Sequence, residues 1–493
     1  MYKPDVGATG QQIATSVSCE EGICRLLQER TGIALQDHQL KNLHNTVAAA
    51  CQRFNYPDSN SYLQALLTAD DISPEFEFLI GGVTIGESYF FRDASQMEFL
   101  RDVFLPELVS RRRAEGNRSL RIWSAGCSQG QELYSIAIML HEMLPDIKNW
   151  NLQLLGTDIN TSVLSTAIKG HYHEWSFRAT TDRQRRRYFR KIENNKFELN
   201  TDIRQGVKFS YLNLRDNSYP SIINEIHSLD LILCRNVFIY LQLPVITEIV
   251  GKMRDSLRDA GLLMLGATDT MDIRVPELVM HNRGYVHYYQ KTLAAPLPDE
   301  TFKPIRRGEN AEHTRQGAKP PLPTDKPADV QAVIELIRQE KWQQVVEATK
   351  ADTEQAAMML QFRAKALANL GRLQEAAETC ERALEQDVTD KHTYFIYGLV
   401  LLELERDAEA EVAFNKTLYL DRRFVEAYYQ LGVLMIRSGR NKGGLKNLMN
   451  AIEIAEQADP ERRIHDNVGM SYARFAQVLH SEISMYQELD SKK

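Results

Sequence analysis

Residues 120–158 carry the sequence LRIWSAGCSQGQELYSIAIMLHEMLPDIKNWNLQLLGTD, and this stretch decides the fold. Two short apolar runs, at 120–123 and 152–155, are typical of buried β-strands. Between them, a turn of small residues at 125–130 precedes a segment whose apolar residues recur at helical spacing. The stretch therefore predicts a strand, a turn, a helix and a second strand, which together form a βαβ unit.

The turn and the end of the second strand are a candidate ligand site. A glycine at the first turn lets the backbone approach a ligand closely, and an acidic residue such as Asp158 can accept both hydroxyls of a ribose. A dinucleotide-binding turn has three glycines, whereas this turn has only Gly126 and Gly130. A nucleoside cofactor without a diphosphate, such as S-adenosylmethionine (SAM), needs fewer glycines in this turn. The alternative is an ordinary βα turn that binds nothing.

Further strands are predicted downstream of this unit. The segments VKFSYLNL (207–214), DLILC (230–234) and GLLMLGA (261–267) are apolar and alternate with helical patterns, while 285–291 predicts an antiparallel edge strand. Strands that alternate with helices favour a Rossmann-like α/β fold, in which ligands bind at the carboxyl ends of the strands. Four candidate residues follow such ends: Gly126, Asp158, Asn213 and Asn236.

The residues before the sheet predict helices. We assign 19–85 to an N-terminal helical domain, whose last helix we expect to end at Gly81-Gly82. A further helix is predicted at 96–113. Its basic end, Arg111-Arg112-Arg113, we interpret as a solvated helix terminus that the helix dipole favours.

The segment GESYFFRD (86–93) combines two phenylalanines with a charged pair. One interpretation is a hydrophobic clamp between domains. The other places Arg92 at the ligand, because arginine stays charged and can grip a carboxylate with two hydrogen bonds.

Residues 171–205 differ from their surroundings, since aromatic side chains lie among many arginines. We interpret this segment as an insertion in the α/β domain (86–293) with some short strands. Its basic run is either a solvated helix or a docking surface for an acidic protein partner.

The last third of the chain contains a repeat. Seven of the 16 prolines fall within 294–328, which predicts a disordered linker. In 329–490, small residues recur every 34 positions, as at Ala364, Gly398 and Gly432. A helix–turn–helix repeat of that length is the tetratricopeptide (TPR) pattern. We therefore expect a TPR domain that offers a groove to a protein partner and ends in a C-terminal capping helix.

Composition excludes several classes. With a net charge of −7 the chain is a poor general nucleic-acid binder. We see no membrane-spanning run and no secretory signal. The six cysteines are scattered without metal-ligand spacing, so we expect no metal, a cytoplasmic location, and buried thiols at Cys127 and Cys234.

Together, five motifs resemble the chemotaxis receptor methyltransferase (CheR) family over roughly 20–292. They are ESYFFRD (87–93), RIWSAGCSQGQELYSIA (121–137), GTDIN (156–160), YLNL (211–214) and LCRNVFIYL (233–241). With its TPRs, the chain looks like receptor methyltransferases of alternative chemosensory systems, including those that govern surface behaviour. The resemblance implies a SAM-dependent protein-glutamate O-methyltransferase that esterifies glutamates of chemoreceptors and releases S-adenosylhomocysteine.

The resemblance also implies site residues. The cofactor-binding positions would be Ser88, Arg92, Gly126, Glu132, Asp158, Asn213, Leu214, Asn236 and Val237, and the catalytic ones Arg92 and Tyr240. Two positions depart from the family pattern: Gly86 stands where asparagine is frequent, and Gln131 replaces a glutamate. Two alternatives to a receptor methyltransferase remain: a TPR adaptor with a non-catalytic SAM fold, and a methyltransferase for another acceptor.

Overall fold

The structure, a computed structural model, describes most of residues 19–483. The described residues are 19–292 without 72, 85, 267–268, 270–272 and 285; 330–460 without 340 and 350–356; and 462, 464, 471–473, 475–476, 479–480 and 483. The predicted linker and most of the predicted capping segment lie outside these residues. Within them, no helix is long and apolar enough to cross a membrane. The chain divides into two compact units: residues up to 84 with Tyr240–Gln242, and the remainder.

The first unit is a small bundle of four helices. Its helices are α1 (Cys19–Thr31), α2 (Asp37–Phe54), α3 (Ser59–Thr68) and α4 (Pro74–Val83). Leucines and isoleucines at helical spacing, such as Ile23, Leu43 and Leu79, are fully buried between them. The prediction that Gly81-Gly82 ends the last helix is wrong, since α4 runs through both glycines to Val83.

The second unit begins with a long helix and the central sheet. Helix α5 (Ala94–Phe99) continues through a π-helical turn (Leu100–Phe104) into α6 (Leu105–Ala114). There follow β1 (Ser119–Ala125), α7 (Gln131–Met143), β2 (Asn151–Asp158), α8 (Thr161–Lys169), β3 (His171–His173), α9 (Asp182–Tyr188), β4 (Phe189–Lys191), β5 (Lys196–Leu199), α10 (Thr201–Gln205), β6 (Val207–Tyr211), β7 (Leu229–Cys234), α11 (Leu243–Ser256), β8 (Leu257–Leu265), β9 (Leu278–Arg283) and β10 (Val286–Lys291).

Seven of these strands form one sheet in the order β6-β2-β1-β7-β8-β10-β9. The first five are parallel, whereas β10 and β9 are antiparallel additions at one end. The predicted α/β fold is thereby confirmed, but β10 is not an edge strand, because β9 pairs outside it. Strands β3, β5 and β4 form a separate three-stranded antiparallel sheet within the segment interpreted as an insertion.

The remaining helices of the second unit form antiparallel pairs. They are α12 (Val330–Arg338), α13 (Trp342–Ala348), α14 (Ala357–Asn369), α15 (Leu373–Gln386), α16 (Lys391–Glu403), α17 (Asp407–Leu420), α18 (Val425–Arg437) and α19 (Asn441–Gln457). The small residues of the repeat make this pairing possible. A Cβ on Gly398 would lie 2.6 Å from the Phe414 ring, and one on Gly432 would lie 2.7 Å from Leu448. The predicted TPR architecture is confirmed.

The basic end of α6 differs from its interpretation as a solvated terminus. The Arg112 side chain is almost fully buried and forms ion pairs with Asp230 of β7 and, at 3.0 Å, with Glu115. A long-range partner in the sheet therefore draws one of three consecutive arginines into the interior. Arg113 stays half exposed and pairs with Asp146.

Candidate functional site

The carboxyl ends of β1 and β7 meet where the strand order of the sheet reverses. Strand β1 lies between β2 on one side and β7 on the other, and such a switch point opens a crevice in α/β sheets. Gly126, just beyond β1, has a φ of +73°. A Cβ at this position would lie only 2.4 Å from Cγ2 of Val237, which follows β7. Glycine is therefore required here for its conformation and for the close approach of the two loops.

Asp158 ends β2 next to the glycine turn. Its Oδ2 accepts the Ser128 amide N–H at 2.8 Å, and its Oδ1 accepts the Asn160 amide N–H at 2.9 Å. Burial raises the pKa of this carboxyl group, while these backbone hydrogen bonds oppose the rise. The residue as a whole is partly exposed. The site thus holds a carboxylate in a fixed orientation.

The segment 86–93 is fastened to the same turn. Ser128 Oγ donates to the carbonyl of Gly86 at 2.7 Å, and Gln131 Nε2 donates to the carbonyl of Ser88 at 3.4 Å. A Cβ on Gly86 would lie 2.9 Å from Cγ1 of Val163. Both positions that depart from the family pattern therefore take part in this attachment, and a larger residue at 86 would displace Val163.

Arg235 is the centre of a buried hydrogen-bond cluster that the sequence analysis did not select. Its Nε donates to Gln96 Oε1 at 2.7 Å, one terminal nitrogen to Glu132 at 3.0 Å, and the other to the Arg92 carbonyl at 2.6 Å. A sequence signal existed, because Arg235 directly follows the fully buried strand β7. A charge in that position needs a buried partner.

Glu132 belongs to this cluster through both of its oxygens. Oε1 accepts the Ser124 hydroxyl at 2.7 Å, and Oε2 pairs with Arg235. Only 13% of the side chain is exposed. Its carboxylate therefore helps to hold Arg235 and, through Arg235, the backbone at Arg92.

The Arg92 side chain differs from the buried Arg235. Among the described residues its guanidinium makes one hydrogen bond, of 3.3 Å to the Glu87 carbonyl, and no ion pair. The guanidinium carbon of Arg92, Cζ, lies 5.8 Å from the centre of the Tyr89 ring. The neighbours Phe91 and Asp93 both have positive φ, at 56° and 66°. A strained backbone thus presents a partly exposed cation that has no carboxylate partner among the described residues.

The remaining predicted residues follow β6 and β7. Asn236 has a φ of +59°, and its N–H donates to Asp269 Oδ2 at 2.7 Å. Asp269, which the sequence analysis missed, also accepts the Gly266 N–H at 2.7 Å. On the other side, buried Asn213 and half-buried Leu214 follow Leu212, whose N–H donates to the Asp158 carbonyl at 3.1 Å. Backbone contacts therefore link the β6 end to the β2 end.

Tyr240 groups with the first unit. Its carbonyl accepts the Ala34 N–H at 2.9 Å, and the next residue, Leu241, bridges Ile33. The catalytic role of Tyr240 stays a prediction. Cys127 and Cys234 are buried as predicted, and burial raises the pKa of both thiols. Both therefore stay neutral near pH 7.

Comparisons with known proteins agree with this fold and site. Residues 86–284 match the family described as "CheR methyltransferase, SAM binding domain", and residues 359–387 match a tetratricopeptide repeat. A chemotaxis protein methyltransferase of Borreliella burgdorferi is 33% identical over 39% of this chain and 67% of its own length. Chemotaxis protein methyltransferase 1 of Pseudomonas aeruginosa is 34% identical over 40% of this chain and 70% of its own.

A second relative from Pseudomonas aeruginosa matches more of this chain. The probable biofilm formation methyltransferase WspC of Pseudomonas aeruginosa is 26% identical over 85% of this chain and 95% of its own length. The similarity thus extends from the α/β sheet into the repeats. Fold and site define a methyltransferase with an appended TPR region. The chain belongs to the CheR family of chemotaxis methyltransferases.

Proposed function

We propose that this methyltransferase transfers the methyl group of SAM to side-chain carboxylates of glutamates in the cytoplasmic domain of a chemoreceptor. The proposal rests on the family and on one structural observation. The carboxylate of Asp158 is held by two backbone N–H groups beside the Gly126 turn at the switch point of the sheet, in a residue that is partly exposed. The enzyme acts in the cytoplasm, where such receptor domains lie.

The residues present fit the proposed cofactor. Each carboxylate oxygen of Asp158 has lone pairs beyond those that accept the backbone N–H groups, so the pair can receive the two hydroxyls of a ribose. The turn lacks the further glycine that a diphosphate needs, which suits a nucleoside that carries none. The other cofactor contacts would come from Ser88, Arg92, Glu132, Asn213, Leu214, Asn236 and Val237.

SAM, when bound, supplies a methyl group on a positively charged sulfur atom. The acceptor glutamate is already ionised near pH 7, so the enzyme needs no strong base. What remains for the chain is to hold the acceptor carboxylate in line and to exclude water. Arg92 is suited to the first task, because it is cationic and no carboxylate of the described residues pairs with it. Tyr240 is proposed to assist in orienting the carboxylate.

A labelling experiment tests the proposal. The full chain is incubated with methyl-labelled SAM and cytoplasmic fragments of candidate receptors, including receptors of surface-behaviour systems. Base-labile volatile methanol then reports carboxyl methyl esters. We expect label on a receptor fragment, and loss of that label when its glutamates are replaced by alanine.

Two other outcomes would contradict the proposal in different ways. SAM binding without label on any receptor would indicate another acceptor. Absence of SAM binding would indicate a TPR adaptor with a non-catalytic fold.

The TPR region is also proposed to bind a further protein partner, and a pull-down with the full chain would test this.

A further inference from the structure

The connection between β6 and β7 makes extensive contact with the TPR helices. We call residues 219–228 of this connection the docking segment. Its polar contacts reach α13, α14 and α16. Helix α14, the first helix of its repeat, contacts the first helices before and after it, α12 and α16, so these three helices line one common face of the array. In a stacked helical array, that face is the concave binding surface.

Two buried side chains of the TPR region hold the backbone of the docking segment. Asn369 Oδ1, at the end of α14, accepts the Ile222 N–H at 2.8 Å. Trp342 Nε1 donates to the Pro220 carbonyl at 3.2 Å. Ile222 itself is 3% exposed and packs within the hydrophobic core of the TPR helices. Main-chain hydrogen bonds combined with a buried apolar side chain are typical of peptide recognition.

A buried ionic cluster lies at the other end of the docking segment. Glu403, at the end of α16, pairs with Arg121 of β1 and lies 3.6 Å from His227 Nε2. Arg121 is also 2.7 Å from the same histidine nitrogen. Nearby, a Cβ on Gly371 would lie 2.2 Å from Ser228 Oγ. The repeats therefore meet His227 and Ser228 of the docking segment, together with Arg121 of β1, through a charged side chain and a close backbone approach.

The two polar anchors occupy the same position of consecutive repeats. Asn369 and Glu403 are 34 residues apart, and both end the first helix of their repeat. The next residue in this register, Arg437, pairs instead with Asp407 at 2.6 Å. The same structural position thus carries one polar anchor in each of these two repeats.

We propose that the inner face of the TPR region is a peptide groove whose resident ligand is the docking segment of the same chain. The repeats are then a fixed part of the catalytic unit and not a free module on a linker. Separation would leave Glu403 and Arg121 without their buried partners and would expose Ile222 and Trp342 to water. A partner that enters this inner face has to displace residues 219–228.

A cleavage experiment on the folded full chain tests this. A site for a specific protease is inserted between residues 305 and 315, and the chain is cut after purification. Cut chain at about 10 µM is far below the roughly millimolar effective concentration that a linker provides. We expect both fragments to elute together from a sizing column, and separation of the wild-type fragments would overturn the proposal.

Matched variants identify the contact. Ile222→Asp introduces a charge into the groove, whereas Val412→Asp introduces the same charge at a position of α17 that is 66% exposed. We expect the cut Ile222→Asp fragments to separate and the cut Val412→Asp fragments to remain together. Co-elution in both variants would show that the groove does not carry the contact.

Hydrogen exchange of the uncut chain guards against misfolding of a variant. In the wild type, the Ile222 amide should exchange at least about tenfold more slowly than in Asn369→Ala, since a hydrogen-bonded buried amide is protected. Equal exchange rates would overturn the proposal without any cleavage. Circular dichroism of each variant establishes that its helices are intact.

Discussion

Arg235 holds the backbone of Arg92, because its guanidinium donates a hydrogen bond of 2.6 Å to the Arg92 carbonyl. The same guanidinium reaches Gln96 and Glu132, so three separate elements converge on one side chain. A planar group with five donors can satisfy acceptors in three directions at once. The orientation of Arg92, which is proposed to meet the acceptor, therefore depends on a residue at the end of β7.

Arg235→Lys should impair catalysis although it keeps the charge. A lysine ammonium cannot reach all three acceptors, so the 86–93 segment would shift and turnover should fall about a hundredfold. Steady-state kinetics of methyl transfer measure this. Arg283→Lys is the control, since Arg283 is 58% exposed and only loosely paired with Glu107. Similar losses in both variants would count against the positioning role.

Asp158→Ala should weaken cofactor binding. The substitution removes the proposed acceptors of two ribose hydroxyls, at about 1 kcal/mol or more each, so affinity for SAM should fall about tenfold to a hundredfold. Isothermal titration calorimetry with SAM and with S-adenosylhomocysteine gives the two affinities. An unchanged affinity would remove Asp158 from the cofactor site.

Arg92→Ala should leave the fold intact and reduce methyl transfer about a hundredfold to a thousandfold, the usual loss when a preorganised donor is removed. The guanidinium forms no ion pair with the described residues, so stability should change little. Labelled methanol release reports activity, and thermal unfolding reports stability. Arg113→Ala, at an exposed ion pair with Asp146, should retain normal activity. Near-normal turnover of the Arg92 variant would contradict the proposed role.

The cluster around Glu403 should make the chain sensitive to acid. Burial by itself would raise the pKa of Glu403, but Arg121 and His227 outweigh burial and lower the pKa to about 2, from an ordinary value of 4.5. Burial and Arg121 lower the pKa of His227. In both cases the unfolded chain binds more protons than the folded chain, so stability falls as the pH falls. The loss should begin near pH 6.5 with His227 and steepen between about pH 4.5 and pH 2 with Glu403.

Urea unfolding at a series of pH values checks this. At pH 7, Glu403→Gln should be less stable than the wild type by up to about 3 kcal/mol, and the difference should shrink toward pH 2. Glu409→Gln is the control, because Glu409 forms an exposed ion pair with Arg406. An equal difference at every pH would assign the loss to packing and not to ionisation.

Local patterns were sufficient to predict the main architecture. The apolar runs at 120–123, 152–155 and 230–234 became strands β1, β2 and β7, because burial on both faces of a parallel strand needs an unbroken apolar run. The 34-residue spacing of small residues predicted the helix pairs, because close contact between helices needs small side chains. Both are properties of a segment and its immediate neighbours.

Features that depend on distant partners were not predictable in this way. Arg112 of α6 is buried because its partner Asp230, 118 positions away in the sequence, lies in strand β7. Strand β9 has mostly exposed side chains and exists through its pairing with β10, so its sequence carries no apolar period. The ligand role of residues 219–228 depends on the TPR groove, which no local pattern of that segment indicates.

The site itself was predictable in part. The strand-end rule brought out Gly126, Asp158, Asn213 and Asn236, and the structure connects the first two through the turn at Ser128. Arg235 and Asp269 were missed, because each acts through buried hydrogen bonds to other elements. The rule finds residues at the ends of strands and overlooks the side chains that hold those residues in place.

The placement of Asn369 and Glu403 one repeat apart also limits how the length of the array can vary. An internal deletion of 34 residues, such as 373–406, would rejoin helices in phase and remove Glu403 while keeping Asn369. A duplication after residue 440 would leave both anchors untouched. We therefore expect gain or loss of repeats to be tolerated toward the carboxyl terminus, and loss of either of the first two complete repeats to break the contact with the docking segment.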